Sequence, residues 1–157
     1  MLYSNLTVNE KGHLAIGGLD AVELAAEYGT PLYVLDEDVI RANCRTYVDA
    51  MHEYFGPESA PLFASKALCF KGIYPVVQSE GMCVDVVSPG EIFTAVAAGF
   101  PASKMFFHGT NKTDADIEYG VSQGIGYFVV DNLNELEVLN KVASEQGIVQ
   151  KVLLRLT

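Results

Sequence analysis

Four side chains of different chemistry stand where short apolar runs of this sequence end: Lys66, Asp85, His108 and Arg155. A neutral lysine amine is a nucleophile, and a carboxylate sets the charge state of its neighbours. An imidazole moves protons near neutral pH, and a guanidinium holds an anionic oxygen. Lys66 is the most informative of the four. It follows Leu62-Phe63-Ala64-Ser65 and precedes Ala67-Leu68-Cys69-Phe70. That apolar setting predicts desolvation, which favours the neutral amine needed for a Schiff base. A lysine snorkelling from a strand end satisfies the same spacing. The three cysteines, Cys44, Cys69 and Cys83, are an odd set without CxxC spacing, so they suggest neither a disulfide framework nor a zinc site.

The elements that would position these groups alternate regularly. Short β-rich runs at 31–35, 61–64, 82–87, 105–108, 127–130 and 151–156 are apolar and bounded by turn or cap residues, as strands buried on both faces should be. Residues 2–16 read as a separate short β excursion. After Asp36, the positions Ile40, Cys44, Tyr47, Val48, Met51, Tyr54 and Phe55 form a helical stripe that Gly56-Pro57 stops, and Cys44 belongs to its core side. Ser88-Pro89-Gly90-Glu91 is a helix start with a capping box, and that helix ends at Gly99. Thr113 caps the next helix. Asn132 with Glu135 starts another, which Gly147 stops. Pro75 leaves the helix after Lys71 doubtful in its first half.

Strands alternating with helices imply an α/β fold with parallel pairing and right-handed crossovers. A doubly wound open sheet and part of a (β/α)₈ barrel both fit. In either, the carboxyl ends of the strands form one face, where the four groups would converge.

Composition narrows the classes further. Half of the 157 residues are hydrophobic, which excludes a disordered acidic tail. The net charge of −10 is the wrong sign for binding nucleic acid. No apolar run reaches the ~18 residues of a membrane span, and no signal-peptide pattern opens the chain, so the expected location is cytoplasmic, with no membrane partner.

The segment Phe63-Ala64-Ser65-Lys66-Ala67 resembles the cofactor-lysine motif of the fold-type III pyridoxal-phosphate decarboxylases, the group of the diaminopimelate, ornithine and biosynthetic arginine decarboxylases. Four further segments follow that family's order. Tyr28-Gly29-Thr30-Pro31-Leu32-Tyr33-Val34 precedes the lysine motif. GMCVDVVSPGE at 81–91 and Phe107-His108-Gly109-Thr110-Asn111-Lys112-Thr113 come after it. Val129-Val130-Asp131-Asn132 and Leu153-Leu154-Arg155-Leu156-Thr157 complete the series. The wording is closest to the diaminopimelate decarboxylases.

The resemblance implies a partial (β/α)₈ barrel of the alanine racemase-like, pyridoxal-phosphate-binding type, with about five strands counted from the Lys66 strand. Residues 1–18 would join a C-terminal β domain, and 19–157 would form the barrel's first part. Lys66 would hold pyridoxal 5′-phosphate covalently and later transfer protons. Asp85 would set the charge of that lysine, Arg155 would reach the ring's phenolic oxygen, and His108 and Asn111 would line the same face. Asp131 and Asn132 read as helix-starting residues. The implied reaction is decarboxylation of meso-diaminopimelate to L-lysine and CO₂ by a homodimeric enzyme.

The family's phosphate loop and ring-nitrogen partner lie on later strands. The chain is therefore expected to be an N-terminal portion, inactive alone. The same scaffold also carries arginine and carboxynorspermidine decarboxylases and amino-acid racemases, and a non-catalytic half-barrel module is the remaining alternative.

Overall fold

The computed structural model describes residues 5–156 and divides into two compact units, one through Asn43 and one from Cys44. In the first unit, β1 (Leu6–Val8), β2 (Leu14–Ile16) and β3 (Leu19–Asp20) form an antiparallel sheet, the β excursion expected from sequence. Positions 2–4 of that excursion, and Thr157 of the last motif, lie outside the described residues. Asn9 closes the β1–β2 turn by accepting from the Lys11 and His13 amides. Asp20 then caps α1 (Ala21–Tyr28) through the amides of Val22 and Glu23. The His13 ring, 2.9 Å away, holds the Asp20 carboxyl well below the usual range.

Residues 31–36 form no strand, against the expectation for 31–35. The run is apolar enough, but Pro31 lacks a donor, no neighbouring strand pairs with it, and residues 31–35 are all exposed. The helix α2 (Glu37–Phe55) follows and stops at Gly56, whose φ of 92° suits glycine. Of its apolar stripe Cys44 is buried, as expected, whereas Tyr47, Tyr54 and Phe55 are exposed. The two tyrosines fall on the flank of the stripe, and Phe55 is the helix's last residue.

The second unit is built on five parallel strands in sequential order: β4 (Leu62–Ala64), β5 (Cys83–Val86), β6 (Met105–Phe107), β7 (Tyr127–Val130) and β8 (Lys151–Leu154). The helices α3 (Ile73–Ser79), α4 (Pro89–Ala97), α5 (Asp114–Ser122) and α6 (Leu133–Glu145) fill the connections. Pro75 is tolerated because α3 begins at Ile73, which places the proline in the first turn.

Burial alternates with period two in the middle strands. Val84, Val86, Met105, Phe107, Phe128 and Val130 are buried, and Cys83, Asp85, Phe106, Tyr127 and Val129 are only half-buried. The expectation of strands buried on both faces is thus corrected: one face of the sheet carries the packed core and the other is open. Sequential order with a single packed face is the wall of a (β/α)₈ barrel. A doubly wound sheet would reverse its strand order and cover both faces.

Two glycines set how closely the layers approach. A Cβ on Gly120 of α5 would lie 2.8 Å from the Phe128 ring and 2.9 Å from the Phe107 ring. A Cβ on Gly126, just before β7, would meet the Ser103 carbonyl oxygen at 2.1 Å.

Candidate active site

The parallel register brings Ala64, Asp85, Phe106, Tyr127 and Lys151 into one row across the open face. Lys66 follows β4 in a single 3-10 turn, Ser65–Ala67, so its side chain leaves from the carboxyl end of the strand. It is exposed, which corrects the desolvated setting expected from its apolar neighbours in sequence. Those neighbours diverge because the chain turns immediately after β4: Ser65 goes inward and Lys66 outward. The Ser65 hydroxyl is fully buried and closes no hydrogen bond of good geometry. Beside it, burial and the Cys69 thiol push the Tyr74 phenol up to about 12, an effect that Ser65 opposes.

Asp85 is the electrostatic centre of this end of the sheet. Burial raises its carboxyl above the ordinary value, opposed by the charges of His108, Lys66 and Lys112. The charges of Lys66 and His108, predicted from separate strand ends, thus both reach Asp85. His108 continues β6 by donating its backbone N–H to Val86 O at 2.9 Å. Asn111 stands exposed on the loop that follows.

Arg155 is placed differently from the other candidates. Its backbone N–H extends the β7–β8 ladder to Val130 O at 3.0 Å, and its guanidinium donates to Asp131 Oδ1 at 3.0 Å. Asp131 is thus more than a helix-starting residue, because its carboxylate holds Arg155. Asn132 is the α6 cap, accepting from the Glu135 N–H at 2.9 Å.

Sequence reasoning missed one pair. Lys112 Nζ lies 2.9 Å from Glu135 Oε1, and the two side chains are 2% and 4% exposed. The ammonium also donates to Gly109 O at 2.7 Å and Val129 O at 3.0 Å. A signal existed: Lys112 directly precedes a helix cap, where the positive end of the helix disfavours a cation that lacks a partner.

The starts of α4, α5 and α6 share one device. Glu91 accepts from the Val87 N–H, Asp116 from the Thr113 N–H and Glu135 from the Asp131 N–H, while Ser88, Thr113 and Asn132 cap in return. Each first turn therefore carries its own carboxylate. None presents the unpaired positive end that a phosphate would use.

A parallel, one-sided α/β sheet with a lysine at the carboxyl end of its first strand is the wall of a barrel-type α/β protein. The chain belongs to the pyridoxal-dependent decarboxylases: the family's pyridoxal binding domain matches residues 38–157. Among its relatives, the diaminopimelate decarboxylase of Bacillus methanolicus is 45% identical over 150 residues, covering 96% of this chain and 34% of that protein. That of Bacillus subtilis (strain 168) is 42% identical, covering 99% and 35%. The crystal structure of diaminopimelate decarboxylase from M. jannaschii in co-complex with L-lysine superposes with a TM-score of 0.86 at 34% identity, covering 97% of this chain and 36% of that one. The chain spans about a third of the length of the curated relatives it matches.

The residues present fit part of the family's cofactor, pyridoxal phosphate. The exposed Lys66 amine suits its aldehyde, and a guanidinium is available at Arg155. The self-capped helix starts do not suit its phosphate. Among the described residues no cluster of metal-ligating side chains occurs, and no helix is long and apolar enough to cross a membrane.

Proposed function

We propose that this chain provides the cofactor-lysine side of a pyridoxal-phosphate-dependent carboxy-lyase whose substrate is meso-diaminopimelate and whose products are L-lysine and CO₂. One observation carries the reading: Lys66 leaves the end of β4 beside the Asp85 carboxylate, in a chain 45% identical to a diaminopimelate decarboxylase over nearly its whole length. Pyridoxal phosphate, when bound, supplies the electron sink that takes up the electron pair left when the α-carboxylate departs as CO₂.

The protein's own residues do the rest. Lys66 holds the cofactor through its Nζ and carries a proton at that atom when released. Asp85 offers its carboxylate to the ammonium that forms on that release. Arg155, oriented by Asp131, offers its guanidinium to the phenolic oxygen. His108 and Asn111 border the same space. The homodimer and the cytoplasmic location implied by the resemblance belong to this proposal, as does the assignment of residues 1–18 to a second, β-rich domain. Three cysteines outside any disulfide suit a reducing compartment.

The test is capture of the cofactor. Pyridoxal phosphate added to the chain should give a visible absorbance band that borohydride converts into a stable mass increment on the Lys66 peptide. Lys66→Ala should abolish both. Equal labelling of the Lys66→Ala variant would overturn the reading. For the substrate, meso-diaminopimelate should compete with Lys66 for the cofactor more effectively than L-ornithine.

A further inference from the structure

Neither the packing nor the proposed chemistry requires the buried Lys112–Glu135 pair. The Lys112 ammonium donates to Gly109 O and Val129 O and lies 2.9 Å from Glu135 Oε1 as an ion pair, with no well-aligned hydrogen bond to that oxygen. The face of the Phe107 ring lies 5.6 Å from the same nitrogen. Glu135 spends its other oxygen on the Asp131 N–H at 3.1 Å, and the Asp131 carboxylate holds Arg155. An unbroken polar chain thus runs from the loop carrying His108 and Asn111, across the end of β7, to the guanidinium at the end of β8.

A buried ion pair is a poor way to gain stability. Removing both charges from water costs about as much as their attraction returns, and apolar side chains of the same size would fill the space as well. What apolar residues cannot do is fix a loop by directional bonds to two carbonyls while facing a carboxylate. Lys112 ties Gly109, in the β6–α5 loop, to Val129, in β7. Glu135 ties α6 to the residue that orients Arg155.

We propose that the buried Lys112–Glu135 pair is a positioning device for the cofactor site, holding the His108–Asn111 loop and, through Asp131, Arg155 in register with Lys66. This rests on the reading of the site as one for pyridoxal phosphate. Neither residue touches the cofactor, and the pair acts through the groups it holds.

The experiment compares the 157-residue chain with the double variant Lys112→Met/Glu135→Gln, which removes both charges at nearly constant volume. Urea unfolding should give a midpoint close to the parent's. Amide exchange of residues 108–113 and of Asp131 should accelerate at least about tenfold, and borohydride-trapped capture of pyridoxal phosphate at Lys66 should slow about tenfold or more. The Asp85 carboxyl, followed by NMR, should titrate at higher pH, because one of the three cationic groups acting on it, Lys66, His108 and Lys112, is gone. That shift reports only that the Lys112 charge is gone; a purely structural pair would leave the capture rate in place.

A double variant with parental exchange and capture would overturn the proposal. So would one whose only change is a lower unfolding midpoint. If the double variant does not fold, Glu135→Gln alone, which keeps an acceptor for the Asp131 N–H, carries the exchange and capture readouts. If the parent itself captures no cofactor at Lys66, the cofactor reading fails, and the exchange measurement still decides whether the pair positions the loop.

Discussion

Asp85 is the residue at which chemistry and stability oppose one another. Its carboxyl is raised in the folded protein, so the native state holds a proton more tightly than the unfolded chain does. The stability contributed by that proton is fully present below the ordinary carboxyl pKa of 3.8 and is lost as pH rises through the raised folded value. Asp85→Asn should therefore stabilise the protein near pH 7 by up to about 1 kcal/mol, the scale of relieving a partly desolvated polar group, and should flatten this part of the pH dependence. Urea unfolding at pH 4 and pH 7 checks both. The buried pair behaves oppositely. Lys112→Met alone leaves Glu135 without its cation and should cost about 3–5 kcal/mol by the same measurement, far more than the double variant. Lys66, Asp85 and His108 were legible as converging groups because parallel strands bring their carboxyl ends to one face. Lys112 was not, since nothing in its sequence neighbourhood names a carboxylate 23 residues on, at Glu135.

Helix starts were legible because their chemistry is local. Ser88, Thr113 and Asn132 all cap as their spacing predicts, since each bond spans only three residues. Thr113→Ala should cost about 1 kcal/mol, measured by thermal unfolding, because it removes one half of a reciprocal box. Gly126 carries a constraint of another kind. Its backbone N–H donates to Ala102 O at 3.0 Å while a Cβ would run into the Ser103 carbonyl, and a backbone atom cannot swing aside as a side chain does. Gly126→Ala should destabilise by about 1–3 kcal/mol or more. An unchanged melting temperature would show that this close approach relaxes freely. The failed strand at 31–35 marks the limit at this scale: apolar, extended residues become a strand only beside a partner, and the partner is not encoded locally.

At the scale of the molecule, the edge strands govern behaviour. Among the described residues β8 pairs only with β7, and Val152, Leu153 and Leu154 are exposed along it. Such an edge invites pairing with another chain, so sedimentation should show concentration-dependent association that Leu154→Lys reduces. A strictly monomeric parent at high concentration would contradict this. Sequence by itself determined the element types outside 31–35, the helix caps, the parallel α/β class and the ordered motifs of a pyridoxal-dependent decarboxylase. Each of these depends on side chains close together along the chain or on a fixed order of segments. Strand periodicity left an open doubly wound sheet and a barrel wall both possible, the family motifs pointed to the barrel, and only the tertiary structure exposed Lys66, tied Arg155 to Asp131 and buried Lys112 against Glu135. Those outcomes depend on strand order and on which face each turn presents. Both are settled by packing between segments tens of residues apart, where periodicity and spacing carry no information.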